Sequence, residues 1–241
     1  MLRNNNIDAR AALNPTKLGR ADVRLFFDDF DGTTGTDLQA SPRPGWGVVE
    51  SAAAGTVLLG ELGTAVTNGV VTITGGSGAV AASVAFATES LWNGPCEPEM
   101  RAVISMPAIP TAAIAVKYGF GFTYGTTYAN FLERMVGAYL NSAAGAVGEA
   151  FAWRIGDVTG TAGFLQTSIP AVAGEQVSVS MKILTASQYE VTINGHKFIH
   201  TTPLDLSRND YRPCFLVSNA ASLTQPAMRI QFCSVSQNRT P

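Results

Sequence analysis

Between Gly174 and Ile199 the chain reads GEQVSVSMKILTASQYEVTINGHKFI, and this stretch restricts the possible folds more than any other. Val177, Val179, Met181 and Ile183 alternate with Ser178, Ser180 and Lys182, which puts the apolar side chains on one face of an extended strand. Tyr189, Val191 and Ile193 repeat the pattern after a polar break at Thr185 to Ser187. Asn194-Gly195 then supplies the two residues best able to take the positive φ angles of a tight type I′ hairpin turn. The stretch predicts strand, turn, strand, turn, strand, with one face buried and one in water.

The rest of the chain repeats the theme. Val23 to Phe30, Val48-Val49, Leu58-Leu59, Val70 to Thr74, Ala79 to Ala87 and Met100 to Met106 read as strands separated by Gly, Pro and Asn signals. Val116, Tyr118, Phe120, Phe122 and Tyr124 alternate with Lys117, Gly119, Gly121 and Thr123. The second set is almost without side chains and leaves room for something to approach the backbone. Phe131 to Leu140, Ala150 to Ile155, Cys214 to Val217 and Met228 to Val235 complete some twelve strands. No helix longer than a turn or two, no heptad pattern and no internal repeat is found. The expectation is an all-β, antiparallel double-sheet jelly-roll sandwich over 23–241, preceded by an extended N-terminal arm over 1–22.

Charge narrows the partners. The 241 residues carry a net charge of −2, and only 14% of them are Asp, Glu, Lys or Arg. No electrostatic footprint for nucleic acid is present. A surface so poor in charge fits one partly covered by other subunits. The first 24 residues differ from the rest: Arg3, Arg10, Lys17, Arg20 and Arg24 stand against Asp8 and Asp22, a local balance of +3. Extended, about 20 such residues reach on the order of 65 Å, enough to cross onto a neighbour. Arg3, Arg10, Lys17 and Arg20 are the candidate subunit anchors; a disordered tail is the alternative.

Cys96, Cys214 and Cys233 are few, odd in number and without CxxC spacing, which argues against a disulfide framework and a zinc site. Buried free thiols are expected, and a Cys214–Cys233 bridge is the alternative. No apolar signal core opens the chain, and no run of about 18 apolar residues could span a bilayer. No membrane partner is expected, and the chain is read as made and kept in a cytosol, or released by lysis or in a particle.

Several pieces, taken in order, resemble the concanavalin A-like lectin/glucanase jelly roll, the group that includes laminin-G-like domains. They are Phe27-Asp28-Asp29-Phe30 with its Gly/Thr loop, Gly45-Trp46, Asn68-Gly69-Val70-Val71, Tyr189-x-Val191-x-Ile193-Asn194-Gly195 and the closing Arg229-Ile-Gln-Phe232. The resemblance implies that Leu25–Phe30 pairs with the final strand, Ile230–Val235. The same layout is similar to jelly-roll modules of tailed-phage virion proteins.

Catalytic chemistry finds little support. Glucanases of this fold use a Glu-x-Asp-x-x-Glu strand, and retaining hydrolysis needs two carboxyls about 5 Å apart. Glu97-Pro98-Glu99 is the nearest match, but Ala102 stands where a third acid would be. Asp29 and Asp31 share a face yet lead into a turn. His196 and His200, the two histidines, lie on a predicted strand, where four residues span about 13 Å, too far for one ion. No catalytic residue and no cofactor is expected. Asp29, Asp31 and Asp37, crowded with Asp28, are the nearest calcium candidates, without the spacing of a calcium loop. Glycan binding would use exposed aromatics beside polar groups, with Trp92, Tyr124, Tyr128 and Trp153 joined by Arg134 and Arg154 as candidates.

The resulting expectation is a non-enzymatic virion structural protein of a tailed phage, a capsid decoration or a tail or fibre component. It would be made in the host cytoplasm and carried in the virion, with other virion proteins and copies of itself as partners. A carbohydrate- or receptor-binding lectin-like module for a cell-surface glycan is the alternative; a polysaccharide-cleaving enzyme comes last.

Overall fold

A computed structural model describes residues 23–31, 35–50, 55–60, 69–75, 82–107, 109, 116–124, 134–141, 152–157, 163–219 and 227–238. The expected arm, its four cations and Tyr128 lie outside these residues. Among the described residues the strands are β1 (Val23–Asp28), β2 (Trp46–Glu50), β3 (Thr56–Leu59), β4 (Val71–Thr74), β5 (Ala82–Thr88), β6 (Glu99–Ser105), β7 (Val116–Thr123) and β8 (Met135–Asn141). They continue as β9 (Ala152–Asp157), β10 (Phe164–Pro170), β11 (Gln176–Ile183), β12 (Gln188–Ile193), β13 (His196–Thr201), β14 (Arg212–Asn219) and β15 (Ala227–Asn238). One 3-10 turn, Gly94–Cys96, is the helical element among them.

Two antiparallel sheets form the sandwich. The first runs β13-β12-β11-β6-β15-β4-β3, with β1 also on β15; the second runs β10-β9-β8-β7-β14-β5-β2. The hairpin that dominates the sequence lies at one side of the first sheet. Val177, Val179, Met181 and Ile183 of β11 and Tyr189, Val191 and Ile193 of β12 are buried, as the period-2 pattern requires. Asn194 and Gly195 take φ of 49° and 84°, the left-handed pair of a type I′ turn. The other face of this sheet is wet and carries the ion pairs Lys197–Glu190, Lys182–Glu97 and Arg101–Glu99.

The pairing of the opening and closing strands is as expected: β1 runs antiparallel to β15 from Val23↔Asn238 to Asp28↔Cys233. β15 pairs β6 along its other edge, with a register shift between Ile230 and Phe232. That single extra residue reverses the alternation. Met228 and Ile230 face the core before it, Cys233 and Val235 after it, and Phe232 turns outward to stack on Phe27 at 6.3 Å. One strand, β10, goes unread in the sequence. FLQTSIP has no apolar alternation because its burial pattern is nearly all exposed; it is an edge strand, where Pro170 is tolerated.

A buried polar knot fastens β1 to the turn before β2. Asp28 is 8% exposed, and its carboxylate accepts from Arg43 Nε at 2.6 Å, from Arg43 Nη2, from Trp46 Nε1 at 2.8 Å and from the Phe30 amide at 2.8 Å. Phe30 holds a left-handed φ of 56° there, and Trp46 stacks on Phe86 with centroids 4.3 Å apart. The three cysteines are free and buried. Cys214 is in the second sheet and Cys233 in the first, which answers the question of their pairing. Burial pushes both thiols far above their usual pKa, so they behave as small apolar residues.

Candidate functional site

The register of the second sheet predicts where a ligand would meet it. Gly47, Ala87, Cys214, Gly121, Gly137 and Gly156 oppose one another in one row across six strands, ending on Phe164 of β10. The next row is Ala85, Leu216, Gly119, Tyr139, Arg154 and Gln166. Both face away from the main core, and neither row contains a carboxylate.

The room that the glycines were expected to leave is already taken. Ala85, Ala87, Met135, Tyr139, Cys214 and Leu216 form a second, buried cluster on this face. A Cβ on Gly119 would meet Met135 Cε at 3.4 Å, and one on Gly121 would meet the Val136 carbonyl oxygen at 2.0 Å. Gly121 therefore serves the approach of β8 to β7, and what lies over Gly119 is a methionine from the neighbouring strand.

The acidic candidates have other duties. Glu97, at a left-handed φ of 50°, pairs with Lys182 at 2.7 Å, and Glu99 pairs with Arg101 at 2.6 Å. Asp28 belongs to the knot with Arg43, and Asp37 accepts the amide of Gln39, an ordinary turn bond. Asp29 and Asp31 flank Phe30 without joining them. No group of three or more His, Cys, Asp or Glu among the described residues could hold a metal ion. His196 and His200 lie on β13, as read, and His200 packs edge-on against Tyr189.

The glycan candidates divide. Trp92 and Trp153 are fully buried and present no ring to solvent: Trp153 packs on Phe120, and Arg24 covers Trp92 at 4.5 Å. Neither is a stacking platform, and that expectation is corrected; alternation on β9 sends Trp153 inward and Arg154 outward. Arg154 lies over Phe164 at 4.5 Å and donates to Gln166 Oε1 at 2.8 Å, at the edge of the sheet.

Tyr124 and Arg134 do come together, at one end of the second sheet. Tyr124 directly follows β7, Arg134 directly precedes β8, Tyr211 directly precedes β14 and Arg212 opens it, while Thr123 faces both Met135 and Arg212 in register. The three central strands thus deliver their terminal residues to one line. Arg208 joins them from the loop before β14. Its guanidinium lies 4.3 Å over Tyr124, with that of Arg134 at 5.2 Å, so Tyr124 is a support for two cations and not a bare stacking surface. Arg208 donates to both oxygens of Asp210, Nε at 2.8 Å and Nη2 at 2.6 Å. This bond holds the Asp210 carboxyl below the usual carboxylate range and the Arg208 guanidinium above its own.

The loop that carries Arg208 is rigid. The Leu206 amide donates to the Ala186 carbonyl at 2.8 Å, the Tyr211 hydroxyl to the Asp205 carbonyl at 2.7 Å, and the Gly94 amide to the Arg208 carbonyl at 2.7 Å. Trp92 and Tyr211 exchange backbone bonds of 2.8 and 3.1 Å. A Cβ on Gly94 would stand 1.8 Å from the Leu206 carbonyl oxygen, so the two loops touch backbone to backbone. Tyr211 meets Tyr124 edge-on at 5.8 Å, and burial pushes its phenol pKa well up, keeping it a donor. Sequence reading missed Arg208, Asp210 and Tyr211 because nothing in SRNDYR marks its meeting with Tyr124.

Known structures share this two-sheet sandwich over nearly their whole length. The endo-1,3-beta-glucanase of Streptomyces sioyaensis superposes with a TM-score of 0.56 at 14% identity, covering 92% of this chain and 98% of that one. Peanut lectin gives 0.55 at 14% identity, covering 90% and 98%. The fold is the concanavalin A-like jelly roll. A protein of unknown function from Shewanella oneidensis shares this jelly roll with a TM-score of 0.62 at 13% identity, covering 100% of this chain and 99% of that chain. At these identities the likeness carries the concanavalin A-like fold alone. No protein-family model and no curated protein matches the sequence.

Proposed function

We propose that this chain is a non-catalytic carbohydrate-binding module of the concanavalin A-like fold. The observation that carries the reading is the convergence of Tyr124, Arg134, Arg208 and Asp210 on a rigid strand-end line. Sugar recognition needs a few fixed polar groups in a partly apolar setting, and planar guanidiniums beside a carboxylate can serve vicinal hydroxyls as both donor and acceptor. Arg208 and Asp210 are 40% and 33% exposed at their side chains, within reach of solvent.

The test is an array of neutral and acidic glycans. Specific retention is expected, falling at least about tenfold for Tyr124→Ala, which releases both cations from their support, while the unfolding midpoint stays within a few degrees. Retention of no glycan by the parent sinks the reading.

A second reading, a structural subunit of a tailed-phage particle, is favoured by one observation. The outermost strands of the two sheets, β10 and β13, expose Phe164 (45%), Leu165 and Ile199 (56%) on edges that lack a partner among the described residues. Arg3, Arg10, Lys17 and Arg20 would add contacts from the arm. On this reading light scattering finds the whole chain as an oligomer, and Leu165→Lys with Ile199→Lys as a monomer. A monomeric parent at high concentration ends it.

A further inference from the structure

The charge around Tyr124 is unbalanced in a way that selects among glycans. Arg134, Arg208 and Arg212 gather there against Asp205 and Asp210. Both acids are already engaged. Asp205 accepts the amide of Ser207 at 2.9 Å and its hydroxyl, which holds its carboxyl below the usual range, and Asp210 takes Arg208 through both oxygens. That bidentate grip uses Nε and Nη2 of Arg208 and leaves the Nη1 side of the fork directed elsewhere. Arg134 has the Tyr124 ring as its contact and no carboxylate partner among the described residues. Among the described residues, a protein of net charge −2 thus sets three guanidiniums against two engaged carboxylates at one strand-end line.

Two cations held over one ring repel each other, and an arrangement of this kind is stabilised when an anion enters between or beside them. Guanidinium suits carboxylate and sulfate because its planar donors match two oxygens at once. From this we infer that the site takes acidic glycans, with the negative group of the sugar, a carboxylate or a sulfate ester, bound by Arg134 and the free edge of Arg208. The inference rests on the carbohydrate-binding reading and names its substrate class. Arg212 contributes long-range attraction from the first residue of β14. The rigid 202–211 loop means that the Arg208 fork is in place before the ligand arrives, so little ordering cost is added on binding.

The experiment is calorimetric titration of the full chain with three size-matched oligosaccharides: a galacturonate oligomer, a sulfated galactan oligomer and an uncharged galactan oligomer. At least one anionic probe is expected to bind about tenfold or more tighter than the uncharged one, as one charged hydrogen-bonded contact is worth that much. The stronger arm identifies the group as carboxylate or sulfate. The advantage shrinks as salt is raised to physiological strength. It is lost in Arg134→Gln, whose unfolding midpoint is unchanged, and is partly kept in Arg134→Lys. Equal binding of charged and uncharged probes overturns the inference but leaves carbohydrate binding standing. An anionic preference that survives in Arg134→Gln overturns it as well. Binding of none of the three, with none on the glycan array, overturns both readings together.

Discussion

Asp28→Ala is expected to lower the unfolding free energy by about 3–5 kcal/mol, the usual consequence of removing one partner of a buried ion pair. The loss has several parts that act together. Arg43, with a side chain 19% exposed, keeps its charge but loses both of its bonds to the Asp28 carboxylate. Trp46 Nε1, on a fully buried ring, is left without its acceptor at a cost of about 1–3 kcal/mol. The Phe30 amide loses the bond that accompanies its left-handed backbone, and strained residues persist only where their surroundings hold them. Urea denaturation of the variant checks the figure, with Asp29→Ala as its neighbour control. Asp29 makes no side-chain bond among the described residues, so its loss is expected to stay within about 0.5 kcal/mol. Equal small effects from both substitutions would show that the knot contributes nothing net.

Gly121→Ala is the second large effect, expected at about 3 kcal/mol or more, the upper range of overpacking. The added methyl would stand 2.0 Å from the Val136 carbonyl oxygen and 2.9 Å from Gly137 Cα, both backbone atoms of the paired strand β8. Neither can turn aside as a side chain does. The strands must part, and with them the line that brings Arg134 beside Tyr124. Gly119→Ala, two residues earlier on the same face, meets the flexible end of Met135 at 3.4 Å and is expected to cost less than about 1 kcal/mol. Thermal unfolding of the pair separates the two cases. Similar midpoints for both variants would contradict the close approach of β7 and β8.

The contrast between these glycines marks how far the primary structure can be read. Period-2 alternation in 177–183 and 189–193, with Asn194-Gly195 between strands, is a local property, and it translated directly into β11, β12 and β13. The strand β10 escaped because an edge strand, wet on most sides, needs no alternation to fold. The reversal of parity in β15 escaped because a bulge is set by the partner strand β6. The empty glycine face of β7 was visible, but its occupant, Met135, was not.

The candidate site was legible only in part. Tyr124 and Arg134 flank adjacent strands, so their meeting follows from a hairpin once its register is known. Arg208 reaches them from far along the chain through a loop held by Ala186, Gly94 and Tyr211, contacts with no local signature. Trp92 and Trp153 have the residue type of a sugar platform, yet burial decides their role, and burial is a property of the packed whole.

What the chain's own order of residues determined was the class of architecture: alternation dictates strands, turn dipeptides dictate their reversal, and a hydrophobic content of 46% suffices for a large interior. Tertiary structure alone decided which acid is a staple and which aromatic is core, and where Arg134 and Arg208 meet over one ring. The physical reason is range. Alternation acts between neighbours along one strand, whereas electrostatic pairing and close packing depend on distances in space that only the register of the fifteen described strands establishes.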